Sequence, residues 1–342
     1  MNHFTSRRSL CALLLAAGAA PGAMAADAGA YPTRPVRLIV PFAAGGTTDI
    51  VARAIAPRMA EALGQPLVVD NKGGGGGAIG AHEAARAQPD GYTLGVATVS
   101  TTATNPAINP RLPYNPLTDF TPITNIAATP NVLAVHPGFK AQSFAAFVEE
   151  VKKNPGKHAY GTAGTGSIGH MLMELMSSRS GLSLTHVPYR GSGPALNDAV
   201  AGQVPIVFDN LPSALPFIKA GRLTALAVAA PERLAQLPQV PTFKELGLEP
   251  VNRSAFYGIY GPKGLSPEIV ARLHAAAQRA LASPEVRRQI EDTGSRVIGN
   301  RPEEFAREIA AENALYRKIA TERRIGPGAT AQAKRAAPTG RD

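Results

Sequence analysis

Two stretches of this 342-residue chain place glycines and hydroxyls where a helix is about to begin. The first runs Phe42-Ala43-Ala44-Gly45-Gly46-Thr47-Thr48-Asp49, and the second Tyr160-Gly161-Thr162-Ala163-Gly164-Thr165-Gly166-Ser167. The first turn of a helix leaves backbone N–H groups without intrahelical partners and carries the positive end of the helix dipole, so such a loop can close on a carboxylate. Candidate ligand-binding residues are Phe42, Ala43, Gly45, Gly46, Thr47 and Asp49 in the first loop, and Thr162, Thr165, Gly166 and Ser167 in the second. His170, one turn into the second helix, is a further candidate. Each has a plainer structural role: Thr47 and Ser167 can cap helices, and Asp49 suits a first turn. The functional reading rests on the two loops acting as a pair.

Other motifs point elsewhere and carry less. Gly73 to Gly77, with Gly80, spell a dinucleotide-type Gly-x-Gly-x-x-Gly after a strand pattern. The strand pattern that follows ends in Thr98-Val99-Ser100 where a ribose-binding acid would be needed, so this run is expected to be a loop bordering a cleft, with no cofactor. Thr165-Gly166-Ser167-Ile168-Gly169 comes close to a nucleophile elbow, with Asp198 or Asp209 and His274 following in hydrolase order. A secreted serine hydrolase using Ser167 is therefore an alternative. Against it, four residues separate Ser167 from Thr162, whereas an elbow needs the strand to lead straight into the serine. The seven histidines show no metal-site spacing, so no metal is expected, and the chain reads as a binding protein, not an enzyme.

These loops need rigid elements behind them. Short apolar runs at 36–40, 67–69 and 93–97 alternate with helical patterns at 50–63 and 79–87, and the alternation restarts after 131–135. Strands are then expected at 158–161, 184–187, 205–208 and 223–229, and helices at 144–153, 168–178, 195–201 and 213–220. An apolar segment at 256–260 reads as a connector leading back to helices at 267–282, 284–292 and 303–318. This is an α/β pattern with largely parallel sheets. It divides into a first lobe of residues 26–130 and 257–326 and a second of 131–256, joined by two crossings that form a natural hinge.

The ends and the composition bound the rest. Residues 1–25 combine Arg7 and Arg8, the apolar run 10–17 and Ala23-Met24-Ala25, the pattern of a secretory signal cleaved near Ala25. Cys11 is the only cysteine and leaves with that signal, so the mature chain has no disulfide. Apolar residues make up 44% of the chain and charged ones 18%, enough for full cores. The formal charge of +10 is scattered along helices with no aromatic-interleaved basic patch, so nucleic acid is not an expected partner. Residues 327–342, rich in Ala, Gly, Pro and basic residues, read as a disordered tail.

A family resemblance runs through the same residues. Tyr31-Pro32-x-Arg34-Pro35-Val36-Arg37-Leu38-Ile39-Val40-Pro41-Phe42-x-x-Gly45-Gly46-x-x-Asp49, Val69-x-Asn71-Lys72 with its glycines, and Pro89-Asp90-Gly91-Tyr92-Thr93-Leu94 begin it. Tyr160-Gly161-x-x-Gly164-x-Gly166-Ser167-x-Gly169-His170, His186-Val187-Pro188-Tyr189-x-Gly191, Phe208-Asp209-Asn210-Leu211-Pro212-Ser213 and Gly258-x-x-Gly261-Pro262 continue it. Together they resemble the Bug-type receptors, extracytoplasmic solute-binding proteins of tripartite tricarboxylate transporters, from about Tyr31 to about Gly326. The resemblance implies a two-lobed periplasmic-binding-protein fold of the type II, flytrap kind. It implies a monomer that takes a small organic carboxylate and docks on the membrane permease subunits of its transporter. It also implies one ligand carboxylate on Thr162, Thr165, Gly166 and Ser167, the first-lobe loop approaching the other end, and Ser100 and Asp209 as further contacts. A receptor feeding a sensor kinase is the remaining alternative.

Overall fold

A computed structural model describes residues 31–326, so the expected signal sequence (1–25) and the expected disordered tail (327–342) lie outside the described residues. In chain order it runs β1 (Val36–Val40), α1 (Thr47–Leu63), β2 (Leu67–Asn71), α2 (Ala78–Ala85), β3 (Thr93–Thr98), α3 (Asn105–Ile108) and β4 (Phe120–Thr129). There follow β5 (Asn131–Val135), α4 (Phe144–Lys153), β6 (Ala159–Thr162), α5 (Ile168–Ser180), β7 (Thr185–Pro188), α6 (Ser192–Val200), β8 (Ile206–Asn210), α7 (Leu211–Lys219) and β9 (Thr224–Ala229). The chain closes with β10 (Ala255–Pro262), α8 (Pro267–Ala282), α9 (Pro284–Glu291), β11 (Arg296–Val297) and α10 (Pro302–Arg323).

The strands form two sheets, one for each lobe, ordered β11-β4-β10-β3-β1-β2 and β7-β6-β8-β5-β9. In the first, β1 is the hub of a parallel trio: Leu38 sits beside Val69 of β2 and Leu94 of β3. Leu38, Ile39 and Val40 are fully buried, as a strand covered on both faces requires, and Ile55 and Met59 of α1 are buried with them. In the second lobe Val132, Leu196, Val207, Leu211, Leu215 and Val228 share one core.

Both sheets are mixed, where the apolar alternation predicts largely parallel ones. The exceptions are the short edge strand β11, antiparallel to β4, and strands at which the chain changes sheet. Strand β10 runs antiparallel to β3 and β4, and β5 antiparallel to β8 and β9, because a chain that leaves one lobe and comes back must reverse direction. The 256–260 segment is thus no connector but the middle strand of the first sheet. Its neighbour β4 went unpredicted because Thr121, Pro122, Thr124 and Asn125 interrupt its apolar pattern.

Three helices begin earlier than their apolar periodicity suggests: α1 at Thr47, α6 at Ser192 and α7 at Leu211. Apart from Leu211, their first turns are built of Thr, Asp, Ser, Gly and Pro, which contribute no hydrophobic signal. These turns are the parts that face the other lobe.

Packing across the first sheet leaves no room at Gly258. A Cβ there would collide with the Phe305 ring and lie 2.5 Å from Thr124 O. Gly258→Ala should lower the unfolding free energy by about 1–3 kcal/mol through overpacking, read by urea denaturation, with no change in secondary structure by circular dichroism.

Candidate functional site

The β1–α1 loop is braced from behind. Gly45 takes φ +81°, and its N–H donates to Asp49 Oδ2 at 3.1 Å. Arg53 Nε donates to Asp49 Oδ1 at 2.9 Å and its other end reaches Asn71, whose Nδ2 donates to Phe42 O at 3.0 Å. Burial works to raise the Asp49 pKa, but Arg53, the Gly45 amide and Asn71 outweigh it and hold the carboxyl below its ordinary value. Asp49 is therefore an anchor of the loop. Gly46 is the N-cap of α1 without a side-chain cap, and Thr47 turns its hydroxyl to Ser213 of the other lobe instead of capping.

The β6–α5 loop is shaped from below by two histidines. Ser167 caps α5 by accepting the His170 N–H at 3.3 Å. His170 accepts the Gly166 N–H through Nδ1 at 3.3 Å, and its ring stacks on His186 at 4.2 Å. His186 Nε2 meets Thr162 Oγ1 at 2.7 Å, and Thr162 Oγ1 accepts the Gly164 N–H. Burial lowers His170 to about 4, and burial together with the neighbouring His170 lowers His186 to about 3, so both rings are neutral props. Among the described residues, the Ala163 and Thr165 amides have no partner in the chain, which leaves the loop with donors to offer. Thr165 itself is exposed at the rim.

Two further helix starts complete the site. Ser192 begins α6 after Gly191, and Asn210 sits at the N-cap position of α7, directly at the end of β8, without a side-chain capping bond. The four N-termini, of α1, α5, α6 and α7, converge on one narrow pocket with a cavity volume of about 10 Å³. Of the sequence candidates, Phe42, Gly46, Ser100, Ser167 and Asp209 line it. Ala43, Gly45, Thr47, Asp49, Thr162, Thr165, Gly166 and His170 lie around it as supports and rim. Ser192, Asn210, Thr48 and Tyr257 line it too, although nothing singled them out in the sequence. The Gly191-Ser192-Gly193 run at a strand-to-helix junction is the signal that would have found the third helix start. No Lys, Arg or His lines the pocket, and its single carboxylate is Asp209. Asp209 accepts Ser192 Oγ–H at 2.5 Å and Ser213 Oγ–H at 2.8 Å; burial pushes its pKa up against those hydroxyls and the Asn210 N–H.

Besides the Thr47–Ser213 hydroxyl pair, the lobes meet through backbone groups. Ala43 N–H donates to Arg190 O at 3.0 Å, Ile168 N–H to Ser100 Oγ at 3.0 Å, and Thr104 Oγ1 to Gly166 O at 2.6 Å. A Cβ on Gly73 would lie 2.5 Å from Arg190 O, one on Gly191 2.7 Å from Ala43 N, and one on Gly76 would collide with Thr165 O. The glycine run is thus packed against the second lobe, and Gly76, at φ +63°, could not be another residue without strain.

The elbow geometry does not form around Ser167. Strand β6 ends at Thr162, Ser167 Oγ is occupied by the His170 amide, and His274 on α8 is bonded to Asn300 O at 3.2 Å. Among the described residues no helix is long and apolar enough to cross a membrane.

Residues 51–325 match TctC, the tripartite tricarboxylate transporter family receptor. Among solved structures, the periplasmic binding protein BugD is 33% identical with a TM-score of 0.84, the match covering 86% of this chain and 99% of BugD. MatC from Rhodopseudomonas palustris, solved with bound malate, is 35% identical with a TM-score of 0.82, covering 84% and 99%. An R. palustris protein solved with adipate is 36% identical with a TM-score of 0.82, covering 86% and 98%.

The buried histidines make stability depend on pH. Unfolded histidines take up protons below about pH 6.5, whereas folded His170 and His186 do so only near 4 and 3, so stability falls as pH drops through that window. For His170 the loss between pH 7 and 5 is on the order of 2 kcal/mol. Asp209 and Glu312, raised by burial, pull the other way, so the comparison is with a variant. Melting curves at pH 7 and 5 should show a smaller acid-induced drop for His170→Gln than for the parent.

Proposed function

The chain belongs to the tripartite tricarboxylate transporter receptor family of solute-binding proteins, and from that premise we propose that its two lobes close on a small carboxylate-bearing solute held by helix N-termini. One observation carries this: four helix starts from both lobes surround a pocket that no cationic side chain lines. Each N-terminus carries about half a positive charge and contributes up to about 2 kcal/mol toward an anion in a partly buried site. Unpartnered amides at Ala163 and Thr165, with hydroxyls on Ser100 and Ser167, supply directed donors. Malate-bound and adipate-bound relatives support a carboxylate as the solute class.

Capture needs no chemical step. A solute that touches both lobes favours the closed form by its extra contacts there, and that difference alone shifts the population. We place the moving bodies at residues 26–130 with 257–326 and at 131–256. In this reading the chain is exported to the periplasm as a monomer and hands its solute to the permease subunits. BugD, a periplasmic binding protein, supports the compartment.

Closure can be tested at Gly193. This residue lies in the first turn of α6, where alanine is the better helix former, and a Cβ there would collide only with Ala44 O of the facing lobe. Gly193→Ala should weaken binding more than tenfold in calorimetry, with the ligand-free melting temperature unchanged or slightly raised. The solute itself comes from a thermal-shift screen of small organic acids; one present at a hundred times its dissociation constant stabilises by about 2.7 kcal/mol. Undiminished affinity in the variant would show that the lobes do not close as drawn.

A further inference from the structure

We propose that Asp209 is a specificity residue that selects, among small carboxylates, those carrying an ammonium group beside the carboxylate. The inference rests on the carboxylate reading above and adds a second, oppositely charged subsite to it.

The pocket is bipolar. On the α5 side it offers N–H and O–H donors. On the β8 side it offers acceptors, Asp209 and Asn210, both lining the cavity and each less than a tenth exposed. The Asp209 carboxylate takes one hydroxyl on each oxygen, from Ser192 and Ser213, and no cation among the described residues comes within ion-pair distance. With the Asn210 N–H these make three donors, and a carboxylate has about four acceptor sites, so one is left open. The Asn210 side chain is oriented by its neighbour. Asn131 Nδ2 donates to Arg253 O at 2.7 Å, which leaves Asn131 Oδ1 to accept Asn210 Nδ2 at 2.5 Å. Asn210 Oδ1 then has no hydrogen-bond donor among the described residues.

An unpaired carboxylate beside an unused amide oxygen, in a cavity without cations, is the complement of an ammonium group. Burying a charge without a partner is costly, and a charge-assisted hydrogen bond from the solute relieves that cost. A solute with only carboxylates meets Asp209 as a like charge and binds with it protonated. A hydroxyl is intermediate, since it donates one hydrogen bond but brings no charge.

The test uses probes of one skeleton: succinate, malate and aspartate, with glutarate and glutamate as a longer pair, measured by calorimetry at pH 7.5. Aspartate should bind at least tenfold tighter than succinate with malate between, or glutamate should exceed glutarate by the same factor. In Asp209→Asn the preference should shrink to within threefold, with succinate binding retained or improved. Equal or tighter binding of the unsubstituted acids, or an amino preference that survives in Asp209→Asn, overturns the proposal while leaving carboxylate capture intact. Failure of all five acids to bind overturns the carboxylate reading itself. If Asp209→Asn does not fold, the ranking in the parent protein decides.

Discussion

The molecule depends on two lobes touching through bare backbone. At Gly73, Gly76, Gly191 and Gly193 a single methyl group would strike the opposite lobe, so the close approach of β1–α1 to α6, and of the 73–77 run to the β6–α5 loop, exists only because those side chains are absent. Backbone contact has a second effect. It brings N–H groups, which cannot change charge, to the surface of the cleft, and it excludes the long flexible side chains that would otherwise fill it. The helix starts can then converge closely enough to share one cavity.

Fixed dipoles in place of cationic side chains change the electrostatics of recognition. Helix N-termini do not move or titrate, and their field falls off within about a turn, so they reward an anion only at a defined position. Everything titratable near the cleft has been made a support. Asp49 is locked to Arg53 and the Gly45 amide, and His170 and His186 are neutral struts beneath the second loop. Asp209 is the exception, a carboxyl placed in the cavity wall itself.

Much of this was legible in the residues, and the gaps have physical causes. Strand β1 announces itself because a strand buried on both faces is nearly continuously apolar. Loops with positive-φ glycines before helices stood out for the same chemistry that makes them useful. Strand β4 was invisible because its Thr and Asn residues bond to partners far along the chain, as Thr124 does to Asn300 O. Ser192 and Asn210 went unnoticed for a related reason: one polar residue at the start of a helix looks like any cap until the other starts are seen to meet it. Sequence spacing reports local geometry, whereas the pocket is made by residues far apart in the chain.

Strands β4 and β10, which carry the chain out of and back into the first lobe, lie side by side in its sheet and pair from Phe120–Pro262 to Thr129–Ala255. Both covalent links therefore start from a common rigid plate, and across the junction Leu211 N–H to Pro130 O and Asn131 to Arg253 O tie them again. Two neighbouring links fixed to one plate would favour rotation about a single line over twisting or sliding. In the closure proposed above, opening and closing then reduce to one angle, and a surface that gauges the separation of the lobes would read whether the cleft is filled.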